Sequence, residues 1–98
     1  MGKNVVIVSA CRTAIGKFQG QFKNVSARDL AVTAGKEAVR RAGIDVKTID
    51  EIVMGECYPH MQGSLPARQV SMRIGLDVSS NAVTVNQNCA SGMRALEI

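Results

Sequence analysis

The 98-residue sequence has few aromatic residues and no tryptophan: only Phe18, Phe22 and Tyr58. Proteins that bind single-stranded nucleic acid stack bases on aromatic side chains, so a base-stacking surface is not expected, and neither is one for sugars. Charged residues are also scarce, at 20%, and the net charge of +4 is spread along the chain without a dense basic block. This charge is compatible with an anionic small-molecule ligand, and no nucleic-acid partner is expected.

Cysteine is uncommon, and its spacing excludes several kinds of site. Cys11, Cys57 and Cys89 are far apart and form no CxxC pair, which argues against a zinc ribbon and a redox dithiol. Cys57 and His60 have a spacing that could serve a metal, but two ligands do not make a site, so no metal is expected. Free cysteines are typical of a reducing compartment, and a cytoplasmic location is expected.

Long hydrophobic runs are missing as well. The N-terminal apolar run, Val5–Val8, is too short for a signal peptide or a membrane span, so we expect a soluble protein with no membrane association. The overall hydrophobic content of 46% nevertheless indicates a packed globular chain. Its length suits one modest domain.

The hydrophobic pattern predicts three strands that alternate with three helices. The strands are expected at residues 4–10, 49–55 and 82–85, where β-branched and apolar residues run together. Ser26 and Gly43 have the positions of an N-cap and a C-terminal stop, and Pro66 and Gly75 bracket the second helix in the same way. A third helix is expected from about Ala90. Alternation of this kind predicts an α/β fold with a parallel or mixed sheet.

Cys89 occupies the junction between the third strand and the third helix. Functional residues of such sheets tend to lie beyond the carboxyl ends of the strands, as do Cys89 and the loop 58–63. The unpaired N–H groups and the dipole at a helix start favour a thiolate, the nucleophilic form of cysteine. We therefore interpret Cys89 as a catalytic nucleophile; the alternative is a small buried residue that fills a strand end. His60, the only histidine, is expected to be solvated or capping.

Four segments in order resemble the amino-terminal part of the thiolase family, of the acetyl-CoA acetyltransferase type. They are residues 9–18 (SACRTAIGKF), Met54-Gly55, residues 66–69 (PARQ) and residues 86–93 (NQNCASGM). The resemblance places the family's acyl-accepting cysteine on Cys89. It implies a five-layered αβαβα fold, of which residues 1–98 form the beginning of the N-terminal domain as βαβαβα.

The resemblance also implies a reaction. Two acetyl-CoA molecules would undergo reversible Claisen condensation to acetoacetyl-CoA, through an acyl group held on Cys89. The backbone N–H of Cys89 would be an oxyanion donor. Asn86 would support the corner between the third strand and the third helix without touching the substrate. The small residues Ser91 and Gly92 would allow the helix to pack between the sheet layers. CoA thioesters are substrates, so no cofactor is expected, and the implied assembly is a homodimer or homotetramer with the remainder of the chain.

The family's activating histidine, second cysteine and much of its CoA loop lie beyond position 98. The sequence is therefore expected to be an N-terminal fragment that does not turn over alone. Two alternatives stay open: a ketoacyl synthase-like enzyme that condenses acyl-carrier-protein substrates, and a non-catalytic assembly module. The residues around Cys89 and the loop 12–18 favour the thiolase pattern over the ketoacyl synthase.

Overall fold

The computed structural model describes residues 4–58 and 65–98. The chain divides into two compact units, Met1–Ile44 and Asp45–Ile98. The helices are α1 (Ala27–Ala42), α2 (Pro66–Ile74) and α3 (Ser91–Glu97), with a short 3-10 turn at Val46–Thr48, and the strands are β1 (Glu51–Gly55) and β2 (Asn81–Val85). Within the described ranges, no helix is long and apolar enough to cross a membrane.

Helix α1 dominates the first unit and begins and ends where the sequence predicted. The Ser26 hydroxyl accepts a hydrogen bond from the Asp29 N–H at 3.1 Å, which satisfies one of the free donors of the first turn. Gly43 ends the helix in the left-handed region, with φ of 68°. Near this end, hydrogen bonds from Arg40 and Arg41 lower the pKa of Glu37 to about 2.

The strand predicted at residues 4–10 is wrong, because this segment has no regular secondary structure. Val5 and Val8 are 93% and 65% exposed. A strand needs a neighbour to pair with its backbone, and the described residues of the first unit include no other strand. At the end of the segment, the Arg41 guanidinium of α1 donates to the Ala10 carbonyl at 3.5 Å, and the next residue, Cys11, donates its thiol hydrogen to the Ala34 carbonyl at 3.1 Å.

The second unit is built on a parallel sheet of two strands, where the sequence predicted three strands in a parallel or mixed sheet. The register runs from Glu51 opposite Asn81 to Gly55 opposite Val85. The first of these strands begins at residue 51 instead of 49, because the 3-10 turn before it extends to Thr48 and Ile49 is its C-terminal cap. The Glu56 N–H donates to the Val85 carbonyl at 3.0 Å, so the pairing continues one residue past β1.

Helix α2 supplies three of the buried residues of this unit, Ala67, Val70 and Ser71. Ala67 and Val70 are 0% and 1% exposed, and the Ala67 N–H donates to the Thr84 hydroxyl of β2 at 3.2 Å. Pro66 is at the first helical position and Gly75 ends the helix with φ of 109°, both as predicted. Since α2 lies in the crossover from β1 to β2, the two strands can run parallel, with their carboxyl ends at the same edge of the sheet.

Replacing Ser26 with alanine should destabilise α1. We expect a loss of about 1 kcal/mol in the free energy of unfolding, measured by urea titration, because the Asp29 N–H loses its acceptor. Ser26→Asp is the matched control, since aspartate restores an acceptor at the cap. Equal losses in both variants would show that the hydroxyl is not what stabilises the helix start.

Candidate active site

Cys89 lies in a tight turn between the end of β2 and the start of α3. β2 ends at Val85 and α3 begins at Ser91, so Cys89 precedes the helix by two residues, where a start at Ala90 would place it directly before the helix. Its thiol is free and its side chain is exposed. The buried strand-end alternative therefore does not describe Cys89 in this structure.

The turn owes its shape to a left-handed residue and a side-chain acceptor. Asn88 has φ of 52°, a conformation that asparagine tolerates better than most residues. Its N–H donates to Oδ1 of Asn86 at 2.8 Å. The N–H groups of Ala90 and Ser91 donate to the carbonyls of Gln87 and Asn88, at 3.1 and 3.2 Å. These bonds reverse the chain over three residues and present Cys89 at its outer side.

The Ser91 hydroxyl closes the turn from inside. Ser91 is 3% exposed. Its Oγ accepts from the Gln87 N–H at 2.9 Å and donates to the Asn88 carbonyl at 2.7 Å. One buried hydroxyl thus satisfies a backbone donor and a backbone acceptor on either side of the turn. The sequence interpretation gave Ser91 a role only through its small size and missed this hydrogen bonding.

Asn86 joins this turn to the neighbouring strand end. Its Nδ2 donates to the Cys57 carbonyl at 3.2 Å, while its Oδ1 accepts from Asn88. A single side-chain amide therefore links the backbone after β1 to the residue before Cys89. The sequence analysis named Asn86 as a supporting residue of this corner, and that role stays a prediction.

Gly55 is the position where α3 approaches the sheet. A β-carbon on Gly55 would lie 2.7 Å from the backbone nitrogen of Gly92, and closer still to the carbonyl group of Ser91. At Gly92, by contrast, a β-carbon would meet no atom within 4 Å in the described part of the chain. The close packing that the sequence interpretation assigned to Ser91 and Gly92 thus depends on the glycine that ends β1. A glycine directly after an apolar run was the available signal.

The turn presents a free thiol close to backbone N–H groups at the start of α3. The Ala90 and Ser91 amides are engaged within the turn, whereas an α-helix offers no internal acceptor to the N–H groups of Gly92 and Met93. The N–H of Cys89 as an oxyanion donor stays a prediction. His60 and most of the loop 58–63 lie outside the described residues, so the structure adds nothing on a base from this loop. The described residues contain no cluster of three or more metal-binding side chains.

Comparisons with known proteins agree on one family. A family model described as the N-terminal domain of thiolase matches residues 5–98. An acetyl-CoA acetyltransferase of Clostridioides difficile is 46% identical over 93 residues, 95% of this chain and 87% of that protein. The acetyl-CoA acetyltransferase of Rhizobium meliloti is 41% identical over 95 residues, 97% of this chain and 24% of that protein.

Solved structures give the same result and confirm the predicted thiolase-like fold. An acetyl-CoA acetyltransferase from Syntrophomonas wolfei superposes with a TM-score of 0.91 at 49% identity, covering 94% of this chain and 23% of that one. A thiolase from Ascaris suum in complex with coenzyme A has a TM-score of 0.95 at 36% identity, covering 97% of this chain and 25% of that one. The chain thus spans about a quarter of the length of most of these proteins, and most of the Clostridioides difficile protein.

A β-carbon at residue 55 should be far more costly than one at residue 92. Gly55→Ala should lower the free energy of unfolding by about 1–3 kcal/mol, because the added carbon meets backbone atoms that cannot rotate away. Gly92→Ala is the control and should raise it by about 0.5–1 kcal/mol, since alanine is the better helix former. Urea titration measures both. Equal tolerance at the two positions would contradict the packing of α3 on β1.

Proposed function

The chain belongs to the thiolase family, and we propose that the full-length protein condenses two acetyl-CoA molecules to acetoacetyl-CoA and free CoA. The observation that carries this proposal is the exposed Cys89 thiol, which a hydrogen-bonded turn presents beside the carboxyl ends of two parallel strands. The names of its relatives support an acyl-CoA substrate, as does the Ascaris suum thiolase complex with coenzyme A.

The first half of the proposed reaction forms an acyl-enzyme. The Cys89 thiolate attacks the carbonyl carbon of acetyl-CoA, and the developing oxyanion is stabilised by backbone N–H groups at the turn. The carbon–sulfur bond to CoA breaks, and the CoA thiolate leaves and takes up a proton. The acetyl group is then held on Cys89 as a new thioester.

The second half forms the carbon–carbon bond. A second acetyl-CoA loses a proton from its methyl group, and the resulting carbanion attacks the acetyl carbon on Cys89. The bond from that carbon to the Cys89 sulfur breaks and frees the thiolate. By the family resemblance, the base and the second cysteine that move these protons belong to the part of the protein after residue 98. The residues of this chain supply the nucleophile and its scaffold.

The surroundings of Cys89 suit this role because they leave its sulfur unencumbered. The hydrogen bonds of the turn are made by Asn86, Ser91 and the backbone, and the Cys89 side chain stays exposed. A nucleophile that must bond to carbon and release it again benefits from a rigid turn whose hydrogen bonds do not involve the sulfur.

Replacing Cys89 with serine should abolish condensation while the fold is retained. We expect activity to fall by about a thousandfold or more, because an unactivated hydroxyl is a much weaker nucleophile than a thiolate. Steady-state condensation and intact mass after incubation with acetyl-CoA measure the effect. Cys11→Ser is the matched control, as Cys11 is a half-buried thiol that contacts α1.

The same mass measurement separates the open alternatives. Acetylation confined to Cys89 supports the proposal, and retained activity in Cys89→Ser would refute it. Acylation by acyl-carrier-protein thioesters but not by acetyl-CoA would favour the ketoacyl synthase-like reading. A Cys89 that neither substrate acylates in the full-length protein would favour an assembly module.

The family resemblance further leads us to propose that β2 contributes to a homodimer interface. β2 has one hydrogen-bonded neighbour in the described part of the chain, β1, and its other edge is available for pairing. Light scattering of the full-length protein should therefore give the mass of a homodimer or of a homotetramer. An active monomer would contradict the proposal.

A further inference from the structure

The peptide bond between Asn88 and Cys89 is held from one side by Ser91. The Asn88 carbonyl oxygen accepts two hydrogen bonds, one from the Ser91 N–H at 3.2 Å and one from the Ser91 hydroxyl at 2.7 Å. A carbonyl oxygen has two lone pairs, so this one residue fills both of its acceptor positions. The direction of the Asn88 carbonyl is therefore determined by Ser91.

The direction of that carbonyl also determines the direction of the Cys89 N–H. Both groups belong to one planar trans peptide unit, in which the C=O and the N–H point in opposite directions. Because the carbonyl points at the buried Ser91 side chain, the Cys89 N–H points away from the buried side of the turn. None of the hydrogen bonds described for the turn uses this N–H.

The Ser91 hydroxyl is itself fixed in place. Ser91 is 3% exposed, and its Oγ accepts from the Gln87 N–H at 2.9 Å while its hydrogen is donated to the Asn88 carbonyl. A buried hydroxyl that is engaged as donor and as acceptor has little freedom to rotate. Without it, the Asn88 carbonyl would keep only the Ser91 N–H, and the peptide unit that contains the Cys89 N–H would be held less firmly.

We propose that Ser91 is a positioning residue for acyl transfer, whose hydroxyl orients the Asn88–Cys89 peptide so that the Cys89 N–H donates to the oxyanion. The inference rests on the proposed acyl transfer at Cys89, and the Ser91 side chain does not touch the substrate. Donors that are oriented before the reaction stabilise an oxyanion without reorganisation, and losing one slows acyl transfer about 100- to 1000-fold. A donor that is retained but less firmly oriented loses part of this effect.

Two reactions of the same thiol separate the orientation of the N–H from the reactivity of the sulfur. Acylation by acetyl-CoA develops an oxyanion, whereas in alkylation by iodoacetamide the thiolate displaces iodide from a saturated carbon and no oxyanion forms. Both rates are followed at Cys89 in the full-length protein by intact mass and peptide mapping. Ser91→Ala should lower the acylation rate about tenfold or more and leave the alkylation rate nearly unchanged.

Two further variants serve as controls for the ratio of the acylation rate to the alkylation rate. Ser91→Thr keeps a hydroxyl at this position and should restore most of the ratio. Ser71→Ala is the matched control, because Ser71 is 0% exposed and its hydroxyl donates to the Arg68 carbonyl within α2 at 2.8 Å. It removes an equally buried hydroxyl outside the turn and should leave the ratio unchanged.

The outcomes distinguish this inference from the function on which it rests. An unchanged ratio in Ser91→Ala, with Cys89 still acetylated, would overturn the inference and leave the proposed function standing. An equal decrease of both rates in Ser91→Ala would overturn it as well, as would a decrease of the ratio in Ser71→Ala of the same size, because the effect would not be specific to the Cys89 N–H. If acetyl-CoA does not acylate Cys89 in the unaltered protein, the proposed function itself is wrong.

Discussion

The site depends on a backbone-to-backbone contact that a side chain would prevent. The start of α3 lies on the last residue of β1, and only glycine leaves room for it there. An added side chain could not be accommodated by a small backbone shift, because neither backbone can move without disturbing the sheet or the helix. The position of Cys89 follows, since it is two residues from the first residue of α3.

Polar bonding determines the rest of the turn. A chain that leaves a strand and enters a helix within five residues has backbone groups that neither element pairs. Here Asn86 and Ser91 provide those partners with their side chains, and Ser91 does so while buried. The arrangement uses few residues. Two short polar side chains shape the turn, and one of them, Asn86, also connects the turn to the end of the neighbouring strand.

The helix ends could be predicted from the sequence because the capping and stop residues agreed with the hydrophobic pattern. Ser26, Gly43, Pro66 and Gly75 mark helix ends in the structure as they did in the pattern. The strand at residues 4–10 could not be judged in the same way, since β-branched residues show suitability for a sheet but not the presence of a partner. Gly55 and the hydroxyl of Ser91 were missed for a related reason. Gly55 contacts α3, 36 and 37 positions later, and the Ser91 hydroxyl bonds to the turn before its helix; spacing within a single element reveals neither contact.

The turn that presents Cys89, between β2 and α3, also has an evolutionary consequence. Its shape is maintained by positions 55, 86 and 91, together with the left-handed Asn88, and the sulfur contributes none of the hydrogen bonds described for the turn. The side chain at position 89 and the architecture that presents it are thus encoded by different codons. A lineage could exchange the side chain at position 89 and inherit the same scaffold, so a new chemical group at this corner would not require a new fold.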